Sequence, residues 1–295
     1  MSITSSNDRP KVTAFSLQQK KERHEPITCL TAYDYASARL VDEAGVDLIL
    51  VGDSLAQVML GYENTLPVTM DEMLHHARAV KRGVKRAFLV GDMPFSSYHT
   101  CKDALVNASR FIKEAGCEAV KIEGGEKRCE MISKLVDAEI PVMGHIGLTP
   151  QSVHKMGGYK VQGRTLAAIE QLMRDATLLE QAGVFSIVLE GIPREVAAMI
   201  TREVSVPTIG IGAGPECDGQ ILVFHDLLGL TFVPPAKFVR RYADLGAEIT
   251  QALNAYKDDV AAGKYPSDAE SYHLPKDTAE ALKDIAERKK EMRSL

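Results

Sequence analysis

Asp47-Leu-Ile-Leu-Val-Gly-Asp-Ser54 is the stretch on which the reading of this chain turns. Its unbroken apolar run, Leu48 to Val51, suits a strand covered on both faces, because a half-exposed strand would alternate apolar with polar residues. The run ends in glycine, and an acid follows at once. Ala87-Phe-Leu-Val-Gly-Asp92, Ala119-Val-Lys-Ile-Glu123 and Ser186-Ile-Val-Leu-Glu190 repeat the pattern, each closing an apolar run on a carboxylate.

Outward from that stretch, strand-like runs recur with helical sequence between them: Pro26 to Tyr33, Asp47 to Gly52, Arg86 to Asp92, Cys117 to Glu123, Ile140 to Ile146, Val184 to Glu190, Pro207 to Gly212, and a weaker one at Gln220 to His225. This alternation predicts parallel strands joined by crossovers, and eight of them predict closure into a (β/α)8 TIM barrel. Such a barrel needs roughly 250 residues, and the chain has 295. Its strands share one direction, so Asp53, Asp92, Glu123 and Glu190 are expected around one mouth, where they would repel unless a cation held them.

Boundary signals fit the same plan. Thr69-Met-Asp-Glu72 is a capping box, and Gly45, Gly83, Gly116 and Gly183 read as left-handed helix stops. Two long connections, Leu55 to Val68 and Gly147 to Gly163, leave strand ends, where lids and substrate contacts concentrate. From Pro235, the spacing of Phe238, Tyr242, Leu245 and Ile249 predicts one amphipathic helix packed on the barrel. A second helix over Asp277 to Arg293 follows the linker Tyr265-Pro-Ser-Asp. The expected division is therefore one barrel domain over residues 1–273 and a helical C-terminal extension over 274–295, serving oligomer contact or nothing.

A composition of 45% hydrophobic and 25% charged residues is that of a globular protein with a sizeable core. A net charge of -5 with no basic run argues against nucleic-acid partners, and no run approaches the ~20 apolar residues of a membrane helix. Small molecules are the expected partners. Met1 to Lys11 is polar and lacks a signal-peptide core, and Cys29, Cys101, Cys117, Cys129 and Cys217 show neither Cys-x-x-Cys nor zinc spacing. Reduced structural thiols and a cytoplasmic location follow.

Asp53 in Gly-Asp-Ser is either a turn former or a metal ligand, and its echo at Gly91-Asp92 favours the latter. Strand periodicity puts Lys121 and Glu123 on one inward face, as a structural ion pair or as a metal ligand beside a lysine that grips an anionic substrate. Glu190 is a candidate base, since a partly dry carboxylate suits proton abstraction near neutral pH; a capping or salt-bridged acid is the alternative. His145 can donate to a substrate or serve structure alone. Gly210-Ile-Gly-Ala-Gly214 is a turn or a phosphate cradle, with the wrong spacing for a dinucleotide fingerprint. His75 and His76 are expected to face solvent.

With these residues in view, the sequence resembles the ketopantoate (3-methyl-2-oxobutanoate) hydroxymethyltransferase family. The resemblance rests on Leu30-Thr-Ala-Tyr-Asp34, Val51-Gly-Asp-Ser54, Lys121-Ile-Glu-Gly-Gly125, Gly144-His-Ile-Gly-Leu-Thr-Pro-Gln-Ser152, Gly210-Ile-Gly-Ala-Gly214 and Asp218-Gly-Gln220. It spans roughly Val12 to His273. It implies a barrel of the phosphoenolpyruvate/pyruvate-binding type, a homodecamer, Mg2+ as cofactor, 5,10-methylenetetrahydrofolate as co-substrate and a place in pantothenate biosynthesis. Carried over by motif, Asp53, Asp92 and Glu123 would bind the metal, Asp53, Ser54, Asp92 and Lys121 the 2-oxo acid, and Glu190 would accept the proton. Two rivals stand beside it. One is a Mg-dependent 2-oxo acid lyase or mutase of the same superfamily, which would place a cysteine in a long loop; neither loop here has one. The other is a non-catalytic acid-binding barrel.

Overall fold

The computed structural model describes residues 10–293, so most of the polar opening segment lies outside the described residues. These residues form eight strands: β1 (Ile27–Thr31), β2 (Leu48–Val51), β3 (Phe88–Asp92), β4 (Ala119–Glu123), β5 (Val142–Gly147), β6 (Ser186–Glu190), β7 (Thr208–Ile211) and β8 (Gly219–Leu222). They are hydrogen-bonded in sequence order, all parallel, and β8 returns to β1 to close the barrel. The eighth strand lies slightly upstream of the expected run: Phe224 begins a short helix, Phe224–Leu228, that carries His225. A helix follows every strand except β7, which reaches β8 through the short connection 212–218.

Strand periodicity explains how the site is placed. Side chains alternate between the two faces of a strand, and Leu48, Leu50, Phe88, Val90, Ala119, Met143, Val188, Ile209 and Ile221 form one apolar cluster inside the barrel. The outward residues Ile49, Val51, Leu89, Val120, Ile122, Ile187 and Leu189 join a larger cluster with the helices. Followed along the chain, the inward columns change from apolar to ionisable: Phe88, Val90, Asp92 on β3; Ala119, Lys121, Glu123 on β4; Met143, His145 on β5; Val188, Glu190 on β6. One end of the barrel is therefore greasy and the other charged.

The greasy end is plugged by the helix Ala14–Glu22, whose Leu17 joins the inner cluster. Lys20 pairs with Asp47 at 2.7 Å and Lys21 with Asp218 at 2.9 Å, pinning this helix to the starts of β2 and β8.

The capping box at Thr69 forms as expected, and Gly45, Gly116 and Gly183 adopt positive φ. Gly83 does not. It is the last residue of the helix Met70–Gly83, and a Cβ there would lie 2.7 Å from the Tyr35 carbonyl oxygen. It permits a close approach to the helix Tyr35–Glu43 rather than a left-handed stop. His75 is exposed as expected, whereas His76 is half-buried with Nδ1 2.6 Å from the Tyr33 carbonyl oxygen.

The helix expected from Pro235 starts only at Leu245 and runs to Ala261. Phe238 and Tyr242 lie in irregular chain before it. Lys237, Arg240 and Arg241 would have crowded positive charge onto the helix's N-terminal, partially positive end, whereas the observed start has Asp244 at its cap and Glu248 in its first turn. The compact units divide between Ala243 and Asp244, upstream of the division expected at residue 273. The second unit holds Leu245–Ala261, a 3-10 turn at Asp268–Glu270 and the helix Lys276–Met292.

Candidate active site

Asp53, Ser54, Asp92, Lys121, Glu123, His145 and Glu190 line one cleft of about 180 Å³ at the charged end of the barrel. Asp92, Glu123 and Glu190 are the last residues of β3, β4 and β6, while Asp53 follows β2 by two residues. The side chains are wired together rather than merely adjacent. The Asp53 amide donates to Asp92 Oδ2 at 3.2 Å, and Lys121 Nζ donates to both Asp92 oxygens at 2.7 and 2.8 Å and to Glu123 Oε1 at 3.3 Å. His145 lies between two acids, Nδ1 3.4 Å from Glu123 and Nε2 3.3 Å from Glu190. Those are ion-pair separations; neither ring nitrogen makes a well-aligned hydrogen bond among the described residues. Ser54 Oγ is 2.8 Å from the Tyr33 hydroxyl.

Apart from Ser54 and Glu190 these groups are almost fully buried, so their charges are strongly coupled. Burial, reinforced by the charges of Asp92 and Glu123, holds the Asp53 carboxyl well above the usual carboxylate range. Burial also lifts Asp92, against the pull of Lys121. Burial opposes the charge on Glu123 too, but Lys121 and His145 outweigh it and bring that group down to about 2. Burial and Lys121 oppose protonation of His145, yet Glu123 and Glu190 on either side raise it to about 9. Burial works against the Lys121 ammonium as well, and Asp92, Glu123 and Asp53 overcome it.

The cleft is lined by five carboxylates, Asp53, Asp92, Glu123, Glu190 and Asp226, against one ammonium and one imidazolium. Hard oxygen donors with surplus negative charge, and an aspartate that its neighbours discourage from ionising, fit a small divalent cation bound by one or two carboxylates. Lys121 stands between Asp92 and Glu123, and among the described residues no three His, Cys, Asp or Glu side chains converge tightly enough to hold an ion by themselves. Remaining positions on such a cation would fall to substrate and water.

Several residues in or behind the cleft wall carried no site role in the sequence reading. Gln151 donates from Nε2 to Asp53 Oδ2 and the Met93 carbonyl oxygen, both at 3.0 Å, and from its backbone amide to Glu123 Oε2 at 3.0 Å. Its Oε1 accepts from the Tyr98 hydroxyl. Tyr159, in the connection after β5, and Phe238 lie at the mouth with about half their surface exposed. Phe238 packs against Gly212, where a Cβ would lie 2.6 Å from its ring. Only Gln151 and Gly212 had a sequence signal, each lying inside a quoted motif. The glycine run over 210–214 forms the end of β7 and the turn beyond it, contributing Ile211 to the cleft.

Comparison with known proteins agrees with this architecture. The chain is 18% identical to 2,3-dimethylmalate lyase, a solved member of the PEP mutase/isocitrate lyase superfamily, with a TM-score of 0.56 over 97% of this chain and 99% of the other; that likeness shows the barrel fold. It is 69% identical to the 3-methyl-2-oxobutanoate hydroxymethyltransferase of Koribacter versatilis (strain Ellin345), over 99% of this chain and all of the relative. With the same-named protein of Syntrophomonas wolfei subsp. wolfei (strain DSM 2245B / Goettingen) it shares 55% identity, over 92% of this chain and 99% of the relative. The family model for ketopantoate hydroxymethyltransferase matches residues 11–268, and the chain belongs to that family.

Proposed function

We propose that this chain transfers a hydroxymethyl group from 5,10-methylenetetrahydrofolate to 3-methyl-2-oxobutanoate, giving 2-dehydropantoate and tetrahydrofolate in pantothenate biosynthesis. The observation that carries the reading is the division of labour across the mouth. Asp53, Asp92, Lys121 and Glu123 cluster on the β2–β4 side, and Glu190 faces them across His145. Asp53 and Asp92 would hold Mg2+, with Glu123 completing the acidic set beyond Lys121. When bound, the ion withdraws electrons from the oxo acid and stabilises its enolate.

The protein's own groups do the rest. Lys121 and Ser54 orient the oxo acid, with the ammonium countering its carboxylate. Water releases the one-carbon unit from the two folate nitrogens, which keep its protons. Glu190 removes the proton from C3, the carbanion attacks the freed aldehyde carbon, and the resulting alkoxide takes back the proton that Glu190 holds. His145, charged at neutral pH, lies beside Glu190 and supports it. The lyase or mutase alternative is weakened by the cleft itself, since no cysteine lines it among the described residues.

All five cysteines are free, which fits work in the reducing cytoplasm. No described helix is long and apolar enough to cross a membrane. As the resemblance implies, the assembly is a homodecamer. Incubation of the protein with Mg2+, 3-methyl-2-oxobutanoate and 5,10-methylenetetrahydrofolate should yield 2-dehydropantoate by mass spectrometry. Turnover of the oxo acid without folate, or no product with all three present, would contradict the assignment.

A further inference from the structure

The segment 147–163 reaches over the cleft and carries Tyr159. On the β6 side it is tied by the backbone: the Leu148 amide donates to the Glu190 carbonyl oxygen at 2.8 Å and the Gln162 amide to that of Gly191 at 2.9 Å. Toward β2, β3 and β4, every described hydrogen bond that leaves the segment involves Gln151. One buried residue thus reaches two proposed metal-binding carboxylates, a backbone carbonyl and a tyrosine.

The amide has one workable orientation. Both Nε2 hydrogens are used, on Asp53 Oδ2 and the Met93 carbonyl oxygen, and Oε1 accepts from Tyr98. A flip would set Oε1 against two acceptors and lose both donations, while the present orientation also gives the Tyr98 hydroxyl an acceptor that anchors the amide. Asp53 Oδ2 is therefore fixed, and Oδ1 takes no hydrogen bond among the described residues, which leaves it for a ligand. The Gln151 backbone amide meanwhile fixes Glu123 Oε2. Buried polar networks of this kind rigidify only when every member is satisfied.

We infer that Gln151 is a positioning residue, locked by Tyr98, that presents the Asp53 and Glu123 carboxylates to the divalent cation and couples cation binding to closure of the segment 147–163. The inference rests on the metal reading above. It predicts a substitution in the loop that weakens binding of the metal itself, before any substrate is present.

The test uses the full-length chain and Mn2+ alone, an ion that accepts the same oxygen donors, with free Mn2+ read by electron paramagnetic resonance. Gln151→Met removes the amide at similar volume and should weaken Mn2+ binding about 10- to 100-fold, the usual cost of losing a group that orients a metal ligand. Trypsin should also cut faster at Lys155 or Lys160 in this variant, while Mn2+ by itself slows that cleavage in the unaltered chain; cleavage indifferent to Mn2+ overturns the coupling to closure. Tyr98→Phe keeps Gln151 but frees its amide, and should weaken Mn2+ binding by a smaller factor of several-fold. Should Gln151→Met fail to fold, Tyr98→Phe decides: unchanged affinity overturns the inference. Loss of binding in Asp53→Asn together with unchanged affinity in Gln151→Met overturns this inference alone; unchanged binding in Asp53→Asn overturns the metal reading with it.

Discussion

Lys121 shows why the charged mouth is both functional and costly. Its ammonium lies within 2.8 Å of both Asp92 oxygens and 3.3 Å from Glu123, all three groups buried. Lys121→Met would leave two buried acids without the cation between them, and breaking a buried pair in this way costs about 3–5 kcal/mol. Urea unfolding of the metal-free protein should show a loss of that order; a change under about 1 kcal/mol would mean the pair is already screened. His145 gives a pH signature. Its folded-state value of about 9 lies above the ~6.5 of an unfolded imidazole, so its stabilising effect is complete below that lower value and fades as pH rises through the upper one. Metal-free protein should therefore lose thermal stability between those two values, and His145→Gln should flatten that part of the curve. Parallel curves for the two proteins would contradict it. At this scale the sequence exposed the strand-ending acids because the register makes their position local. Gln151 stayed hidden because its partners come from three other strands' ends.

Among the elements, the strands were legible and the start of the helix Leu245–Ala261 was not. Continuous apolar runs mark strands buried on both faces, and Leu48–Val51 and Phe88–Asp92 are buried throughout. The stripe expected over Phe238, Tyr242, Leu245 and Ile249 satisfied helical spacing, yet Phe238 is needed against Gly212 and the basic residues beside it oppose a helix start. The apolar stripe that forms lies further on, at Ile249, Leu253, Tyr256 and Val260. Gly91 also had a second purpose that spacing alone does not reveal. A Cβ there would lie 2.4 Å from the ring of Phe111, a fully buried residue of the helix Cys101–Lys113. Gly91→Ala should cost about 1–3 kcal/mol through overpacking, and Phe111→Leu in the same chain should recover part of it. Thermal unfolding checks this, and an unshifted midpoint in Gly91→Ala would contradict it.

For the whole molecule, eight strand-like runs sufficed to predict the closed barrel, since parallel strands in sequence order have few other ways to bury both faces. Assembly is less local, because a face that waits for another copy looks like any amphipathic helix. The stripe of Ile249, Leu253, Tyr256 and Val260 is exposed in the single chain. The solution mass should be ten times the 32.2 kDa of the chain; a monomer mass would refute the decamer.

The central claim is that acids ending separate strands share a mouth, hold a divalent cation and so prime an oxo acid for loss of its C3 proton to Glu190. Deuterium exchange at C3 of 3-methyl-2-oxobutanoate, followed by NMR without folate, tests it most directly. Exchange that requires Mg2+ and is largely lost in Glu190→Gln, with oxo acid binding retained, is the predicted result. Exchange that proceeds equally without Mg2+, or at full rate in Glu190→Gln, would contradict it.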